Sequence, residues 1–348
     1  MDDVARMPPA DRADLFATTA KQRSLLAEIV EKDFWVCWSL KRVFTLPDPP
    51  AGLIFKGGTS LSKVFNAIER FSEDVDLSFN RADLGFGGEH DPLHAPSGKK
   101  AKQWREALTE TCRRVIHEKF LPQLTATLAE AIREPPGAVW RLELDPEDAN
   151  QQTLLFHYPS ARKPREAEGP GYIKPYVRLE IGARAEHWPS LQATITPYAA
   201  EEFPQTFRNP ACSVRVLAAE RTFWEKATLL HAWHHAPADK PFRDGQSRHY
   251  YDVVRMYEKG FGKEAMRDTN LLLKVAEHKD VFFPAASAKY EEAKPGTLRL
   301  VPPQARLPEL EKDYRKMQEM IFTEPPPLDH LLTVLREIEA LINHPASG

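Results

Sequence analysis

Residues 53–79 read LIFKGGTSLSKVFNAIERFSEDVDLSF, and this stretch decides the fold. The apolar run Leu53–Phe55 follows a turn and predicts a buried strand, which two glycines bring to an end. A helical face is predicted next by the spacing of Leu61, Val64, Phe65 and Ile68. We expect Thr59 or Ser60 to cap that helix. Strict alternation of polar and apolar residues over Asp74–Phe79 then predicts a half-buried strand.

The chemistry of this stretch lies in two aspartates and two glycines. Asp74 and Asp76 are two positions apart on a strand, so both carboxylates point to the same face. Such neighbours repel each other unless a cation lies between them, and carboxylates with substrate phosphates are the ligands that Mg²⁺ prefers. Gly57 and Gly58 allow a ligand to approach the backbone, and the helix that follows attracts phosphate. The pattern therefore favours phosphoryl transfer.

Each half of the pattern has a simpler explanation when it is taken alone. The glycine pair could be an ordinary turn before a helix, and the two aspartates could be surface residues of an edge strand. The glycines do not form a Walker A loop, because the Gly-Lys-Ser/Thr ending is missing. The combination of strand, Gly-Gly-Thr, helix and Asp-x-Asp strand is far more specific than either half.

Composition limits the class of protein. The chain has 348 residues with a formal net charge of −3, which is ordinary for a globular protein and argues against a dedicated nucleic-acid coat protein. We find no apolar stretch of about 18 residues, and the N-terminus is too polar for a secretory signal, so we expect no membrane partner. The three cysteines are far apart and form no zinc pattern, which favours reduced thiols in the cytoplasm.

The distribution of helices and strands predicts two domains. Mixed α/β patterns reach to about residue 217 and helical patterns follow, so we expect domains at 1–216 and 217–348. Before the boundary we expect a helix over Lys21–Phe44 and a long one over Trp104–Ile132 that Pro122 breaks or kinks. Five further strands are predicted at Val139–Leu144, Gln152–His157, Tyr172–Ile181, Leu191–Thr196 and Ser213–Leu217. Five helices are predicted at Ala218–His235, His249–Glu258, Thr269–Glu277, Glu309–Phe322 and Asp329–Asn343.

Two segments resemble the defining motifs of the AbiEii/AbiGii-type nucleotidyltransferase toxins, which belong to the DNA polymerase β-like nucleotidyltransferase superfamily. These segments are Lys56–Lys63 and Arg70–Leu77. The resemblance continues at Glu220–Lys226, at Arg248–Asp252 and in the tail from Lys312 to Met317. It implies an α+β fold: a nucleotidyltransferase core, with a small mixed sheet flanked by helices, followed by an all-α C-terminal domain that completes the active site.

The resemblance also implies a role for each matching residue. The nucleotide would be bound by Gly57, Gly58, Thr59, Ser60, Lys63 and Arg248, with Thr59 or Ser60 as the hydroxyl donor. The catalytic metals would be bound by Asp74 and Asp76, and a third carboxylate would come from Glu180 on a later strand. Lys226 would reach the triphosphate, and Asp252 would orient Lys226 or the acceptor. From spacing alone, Lys226 could equally be a solvated lysine, and Arg248 and Asp252 a surface ion pair.

The implied activity is transfer of a nucleoside monophosphate from an NTP, with Mg²⁺ or in its place Mn²⁺. The expected acceptor is the 3′ end of tRNA, the expected outcome growth arrest or phage defence, and the expected partner an antitoxin encoded nearby. Alternatives are a protein hydroxyl or small-molecule acceptor, or a catalytically silent nucleotide-binding module. A two-carboxylate glycosidase fits poorly, because adjacent positions on one strand do not flank a sugar bond.

Two other clusters have open interpretations. Basic residues around Lys99–Arg114, and a second run at Arg162, Lys163 and Arg165, could contact RNA or could be solvated surface. The histidines 231, 234 and 235 lack the His-Glu-x-x-His spacing of a zinc site, and we expect an exposed or capping cluster.

Overall fold

The computed structural model describes residues 1–133, 139–161 and 173–344. Its strands are β1 Leu53–Lys56, β2 Asp74–Phe79, β3 Arg141–Leu144, β4 Thr153–His157, β5 Tyr176–Gly182, β6 Ser190–Ile195 and β7 Cys212–Leu217. Within the described residues they form one seven-stranded sheet in the order β3-β4-β5-β2-β1-β7-β6. The sheet is mixed, because β2 is antiparallel to β1 and parallel to β5. The predicted fold class is confirmed.

Strand β2 lies in the middle of the sheet and has the predicted alternation. Val75, Leu77 and Phe79 are buried, whereas Asp74 and Asp76 are only half-buried on the other face. The register places Asp76 beside Lys56 of β1 and beside Glu180 of β5. The sheet therefore brings the predicted third carboxylate next to the predicted pair.

The helices before residue 217 are α1 Asp2–Ala5, α2 Pro9–Arg23, α3 Ala27–Phe44, α4 Gly57–Lys63, α5 Gly98–Val115, α6 Leu121–Ile132 and α7 Tyr198–Glu202. The prediction of one helix over Lys21–Phe44 is wrong, because Ser24 adopts a left-handed conformation with φ 54° and ends α2. The long helix does continue past Pro122. A π-helical turn over Ile116–Phe120 joins α5 to α6, so the chain is irregular just before the proline and not at it.

Helix α4 differs from its prediction in length and in its cap. It ends at Lys63, and Asn66 takes a φ of 47°, so Phe65 and Ile68 do not extend its face. The residue at the N-cap position is Lys56, and no side chain caps the helix. The Thr59 hydroxyl instead donates to the backbone carbonyls of Ser72 and Asp74 and ties α4 to β2.

The helices after residue 217 are α8 Ala219–His234, α9 Ser247–Glu258, α10 Phe261–Ala265, α11 Thr269–Phe282, α12 Leu307–Met317 and α13 Leu328–Asn343. The chain divides into two compact units. The first comprises Met1–Val64, Ser72–Asp91 and Gln103–Val216, and the second comprises Phe65–Phe71, Pro92–Lys102 and Leu217–Gly348. The main segment of the second unit begins at Leu217, and two short stretches from earlier in the chain belong to that unit as well. None of the described helices is long and apolar enough to cross a bilayer.

Candidate active site

The centre of the site in the first unit is a row of acidic side chains on neighbouring strands. Asp76 and Glu180 are register partners on β2 and β5, and Asp74 is two positions before Asp76 on the same face. All three side chains are half-buried. Burial, followed by repulsion from Asp76 and Asp74, raises the pKa of Glu180 to about 7. Such a site is favourable for a cation, because a cation relieves this repulsion.

Basic side chains flank the row without covering it. Lys56 Nζ lies 3.6 Å from Asp76 Oδ1, and Arg178 Nε lies 3.4 Å from Glu180 Oε1. Arg178 also reaches Asp145 at 3.2 Å. About 27% of the Asp76 side chain and 40% of the Glu180 side chain stay exposed, so both remain accessible to a ligand.

The turn before α4 is shaped to fit the acidic row. Gly57 has a φ of +81°, which side chains rarely tolerate, and a Cβ added to it would lie 1.9 Å from Asp76 Oδ2. The glycine is therefore required both by the backbone conformation and by the approach of the carboxylate.

A cleft of about 290 Å³ opens beside Asp74. Its walls include Asp145 and Glu147 on the acidic side, Lys174 and Arg178 on the basic side, and the ring of Tyr176. The cleft offers hydrogen-bonding groups of both signs and one aromatic face, within reach of a predicted metal ligand.

Three residues predicted to bind nucleotide are occupied by other contacts. Thr59 and Ser60 are buried, and the Ser60 hydroxyl donates to the carbonyl of Gly57. Lys63 Nζ lies 2.7 Å from Asp33 Oδ1, and both side chains are less than a tenth exposed. Asp33 raises the pKa of Lys63 even though burial lowers it. These contacts favour a structural role for the three residues, in contrast to the prediction.

In the second unit, Lys226 and Asp252 form a buried ion pair with an Nζ–Oδ2 distance of 2.8 Å. The prediction that Asp252 could orient Lys226 agrees with this geometry, whereas an exposed lysine does not. Burial lowers the pKa of Lys226 and outweighs the attraction of Asp252. Arg70 and Lys226 hold the pKa of Asp252 below its usual range, although burial alone would raise it.

Arg248 and His249 lie beside this pair. His249 Nδ1 is 3.3 Å from Lys226 Nζ, and Arg248 Nε is 3.5 Å from His249 Nε2. Burial, and then the charge of Lys226, lower the pKa of His249 far below its usual value, so its ring is neutral at pH 7. Arg248 is half-buried and does not pair with Asp252 as a simple surface ion pair would.

Sequence reasoning missed two arginines of the site. Arg70 binds Asp252 across 182 positions of sequence, and Arg178 links Asp145 to Glu180. Arg70 stands inside a quoted motif, and Arg178 is two positions before Glu180. The partners in distant segments, Asp252 for Arg70 and Asp145 for Arg178, are revealed only by the fold.

The structure describes the histidine cluster and part of the basic residues, the two groups that the sequence left open. His231 is buried, which excludes the exposed alternative but not the capping one for that residue, and His234 Nδ1 lies 2.7 Å from the carbonyl of Val301. Lys99, Lys100 and Lys102 are exposed on α5. Arg162, Lys163 and Arg165 lie outside the described residues.

The donor set in the first unit fits a hard divalent cation. In the parts of the chain that the structure describes, no three acidic, histidine or cysteine side chains are placed so that they could hold a metal ion together. Mg²⁺ does not need three protein ligands, because it keeps water and substrate phosphate in its shell and takes only one or two carboxylates. Asp74 and Asp76 supply ligands of that type.

Comparison with known proteins identifies the family. The model of the nucleotidyl transferase AbiEii toxin, type IV toxin–antitoxin system, matches residues 38–339. No functionally curated protein matches the chain. A similar solved structure is MenT4, a nucleotidyltransferase toxin from Mycobacterium tuberculosis H37Rv, which is 14% identical with a TM-score of 0.47 over 95% of this chain and 90% of that one. The family match spans most of the chain and includes Gly57, Asp74, Asp76, Lys226 and Asp252. The chain is therefore a nucleotidyltransferase and belongs to the AbiEii toxin family.

Proposed function

We propose that this enzyme transfers a nucleoside monophosphate from an NTP to a hydroxyl of an acceptor and releases pyrophosphate. The acceptor in this proposal is the 3′ end of tRNA, and the metal is Mg²⁺, for which Mn²⁺ can substitute. The observation that carries the proposal is the registered row of Asp74, Asp76 and Glu180 next to the Gly57 turn. Acidic ligands beside a turn without side chains suit a metal–triphosphate complex.

In the first unit, Asp74 and Asp76 would hold the metal, with Glu180 as the third acid. When bound, Mg²⁺ would neutralise charge on the triphosphate and polarise the phosphorus that is attacked. Gly57 and Gly58 would bind the phosphates through the backbone of the turn, and the missing Cβ of Gly57 leaves room for the Asp76 carboxylate beside it. The positive charges of Lys56 and Arg178, at 3.6 and 3.4 Å from Asp76 and Glu180, would limit the repulsion between the two carboxylates.

In the second unit, Lys226 would bind the triphosphate. Its ammonium is held by Asp252 and His249, and the charges of Arg70 and Arg248 also act on it. One carboxylate among three cationic side chains makes this cluster favourable for a polyanion.

For the biological role we propose growth arrest or phage defence in the cytoplasm, held in check by an antitoxin encoded nearby. The family is a toxin–antitoxin family, which supports the partner in general terms. The exposed lysines 99, 100 and 102 at the start of α5 are candidates for contact with the RNA backbone.

The proposal is tested by incubation with each of the four NTPs, labelled at the α-phosphate, together with total RNA and cell protein. Label should enter tRNA with the wild-type enzyme and should be lost with Asp76→Asn. Glu110→Gln, an exposed change on α5, is the control that should keep activity. Label on protein alone would replace the RNA acceptor with a protein hydroxyl. Binding of Mg²⁺ and NTP without transfer to any acceptor would favour a silent nucleotide-binding module.

A further inference from the structure

Arg70 holds both oxygens of Asp252. Its Nε donates to Oδ1 and its Nη2 donates to Oδ2, each at 2.8 Å, and Nη1 donates to the carbonyl of Phe71 at 3.0 Å. Arg70 is 2% exposed and Asp252 is fully buried. A two-pronged contact of this kind fixes the plane of the carboxylate as well as its distance.

The backbone around Arg70 is itself held in place. The N–H of Phe71 donates to the carbonyl of Met320 at 2.8 Å, and the N–H of Phe322 donates to the carbonyl of Glu69 at 2.9 Å. Arg70 therefore stands on a short strand-like pairing with residues 320–322 and not on a loose loop.

Lys226 depends on the carboxylate that Arg70 holds. Its Nζ donates to Asp252 Oδ2 at 2.8 Å, and its second partner is His249 Nδ1 at 3.3 Å. The four-carbon stem of a lysine is flexible, so the position of the ammonium is set by its hydrogen-bond partners. An ammonium has three N–H groups, and these two contacts use two of them. The third can serve a ligand.

We propose that Arg70 is a positioning residue for Lys226: it locks Asp252 in the orientation that anchors the ammonium, while His249 fixes the ammonium from its own side. This inference rests on the proposed function in one respect, namely that Lys226 contacts the triphosphate. It assigns to Arg70 an effect on nucleotide binding that is exerted through Asp252.

The arrangement is poorly explained as a device for stability alone. Burying charged groups costs several kcal/mol each in lost hydration, and well-packed apolar residues often stabilise a core as well or better. Two cations that share one buried carboxylate also repel each other. A role in positioning the Lys226 ammonium for an anionic ligand explains why these charged side chains are buried together.

A spectroscopic test follows Lys226 directly. Lysine labelled with ¹³C at Cε is incorporated into the full chain, and Lys226→Arg identifies the resonance of Lys226. The groups that act on Lys226 from the elements around it are Asp252, Arg248 and His249 of α9 and Arg70 of residues 69–71. Removing the positive charge in Arg70→Gln should raise the titration midpoint of Lys226. Arg255→Lys is the control on α9, because Arg255 pairs with Glu69 and Glu258 and should leave Lys226 unchanged.

A kinetic test separates the charge of Arg70 from its geometry. Arg70→Lys keeps the charge but loses the two-pronged contact, so the Lys226 midpoint should stay close to the wild-type value. The kcat/KM for the NTP should nevertheless fall at least about tenfold, mainly through KM. Arg255→Lys should have kcat/KM close to that of the wild-type enzyme.

Several results would overturn the inference. One is a Lys226 midpoint that is the same in Arg70→Gln as in the wild type, and another is unchanged kcat/KM in Arg70→Lys. If neither variant folds, the mobility of the Lys226 side chain in the wild-type protein still decides: a Cε as mobile as that of an exposed lysine contradicts the inference, and one held rigid supports it. If the Lys226 midpoint rises in Arg70→Gln but the wild-type protein transfers no nucleotide, the inference stands and the proposed function is contradicted.

Discussion

The Cβ that Gly57 lacks would lie 1.9 Å from Oδ2 of Asp76. This one relationship joins the two motifs of the sequence, since the glycine turn after β1 and the aspartate of β2 pack directly against each other. It also means that the two motifs constrain each other. Asp76 can hold its position only if residue 57 has no side chain, and residue 57 has a φ of +81° that favours glycine.

We expect Gly57→Ala to abolish nucleotidyl transfer and to lower stability by about 1–3 kcal/mol. The added methyl group would displace the Asp76 carboxylate from the acidic row. Transfer of α-labelled NTP and a denaturant melt measure the two effects.

Gly85→Ala is a matched control for that variant. Gly85 also has a positive φ, of +89°, but a Cβ added to it would meet no atom within 4 Å. Gly85→Ala should lower stability by a similar amount through backbone strain and should leave activity intact. Equal activity in the two variants would show that the contact of residue 57 with Asp76 has no bearing on the reaction.

Asp76→Asn should separate activity from stability. In the metal-free protein the change removes a negative charge next to Asp74 and Glu180, so we expect Tm to stay the same or rise. Activity should fall by at least about a hundredfold. Mn²⁺ should raise the Tm of the wild type more than that of the variant, because only the wild type keeps both aspartate ligands.

A surface acid provides the comparison for Asp76→Asn. Glu143→Gln on β3 removes one charge from a side chain that is 43% exposed and should leave both activity and the Mn²⁺ effect unchanged. If Mn²⁺ raises the Tm of Asp76→Asn as much as that of the wild type, the metal does not bind at Asp76.

Lys63 should matter for folding and not for the nucleotide. Lys63→Met leaves the buried carboxylate of Asp33 without its cation, and breaking such a pair costs about 3–5 kcal/mol. The double variant Lys63→Met/Asp33→Asn should recover a large part of that loss, because no unpaired charge is left. Urea melts of the single and double variants give the coupling free energy.

Nucleotide affinity decides between the two roles of Lys63. In folded Lys63→Met, KM for the NTP should remain within about twofold of the wild-type value. A much larger KM in a stable variant would restore Lys63 to the nucleotide-binding residues.

The strands of the core could be predicted from the sequence because alternation reports burial directly. β2 has the predicted bounds, and its three apolar residues are buried as expected. The helix after the glycine pair was predicted too long, because Phe65 and Ile68 have helical spacing by coincidence. Asn66 with its positive φ breaks the helix, and spacing carries no information about φ.

The candidate site was predictable as far as single strands determine it. The same-face position of Asp74 and Asp76 follows from the period of a strand, and Glu180 is beside them because β5 pairs with β2 in the right register. The roles of Thr59 and Lys63 could not be predicted, because they depend on Ser72, Asp74 and Asp33 in other elements. The contact between Arg70 and Asp252 could not be predicted from the sequence for the same reason.

The buried His231 should make stability depend on pH. Its Nδ1 accepts from the backbone N–H of Arg299 at 3.0 Å, and its Nε2 lies 3.1 Å from the carbonyl of Lys289, an arrangement that needs the neutral ring. Burial lowers the pKa of His231 from 6.5 to about 4. Between these values the unfolded chain binds a proton that the folded chain does not bind.

The free energy of unfolding should therefore fall as the pH drops from about 6.5 to 4, and His231 should account for up to about 3 kcal/mol of that loss. Above pH 6.5, His231 should contribute no pH dependence. His231→Gln lacks the titrating group. The free energy of unfolding of the wild type, minus that of the variant, should thus decrease over this interval. A difference between the wild type and His231→Gln that stays constant from pH 7 to 4 would mean that His231 has the same pKa in the folded and the unfolded chain.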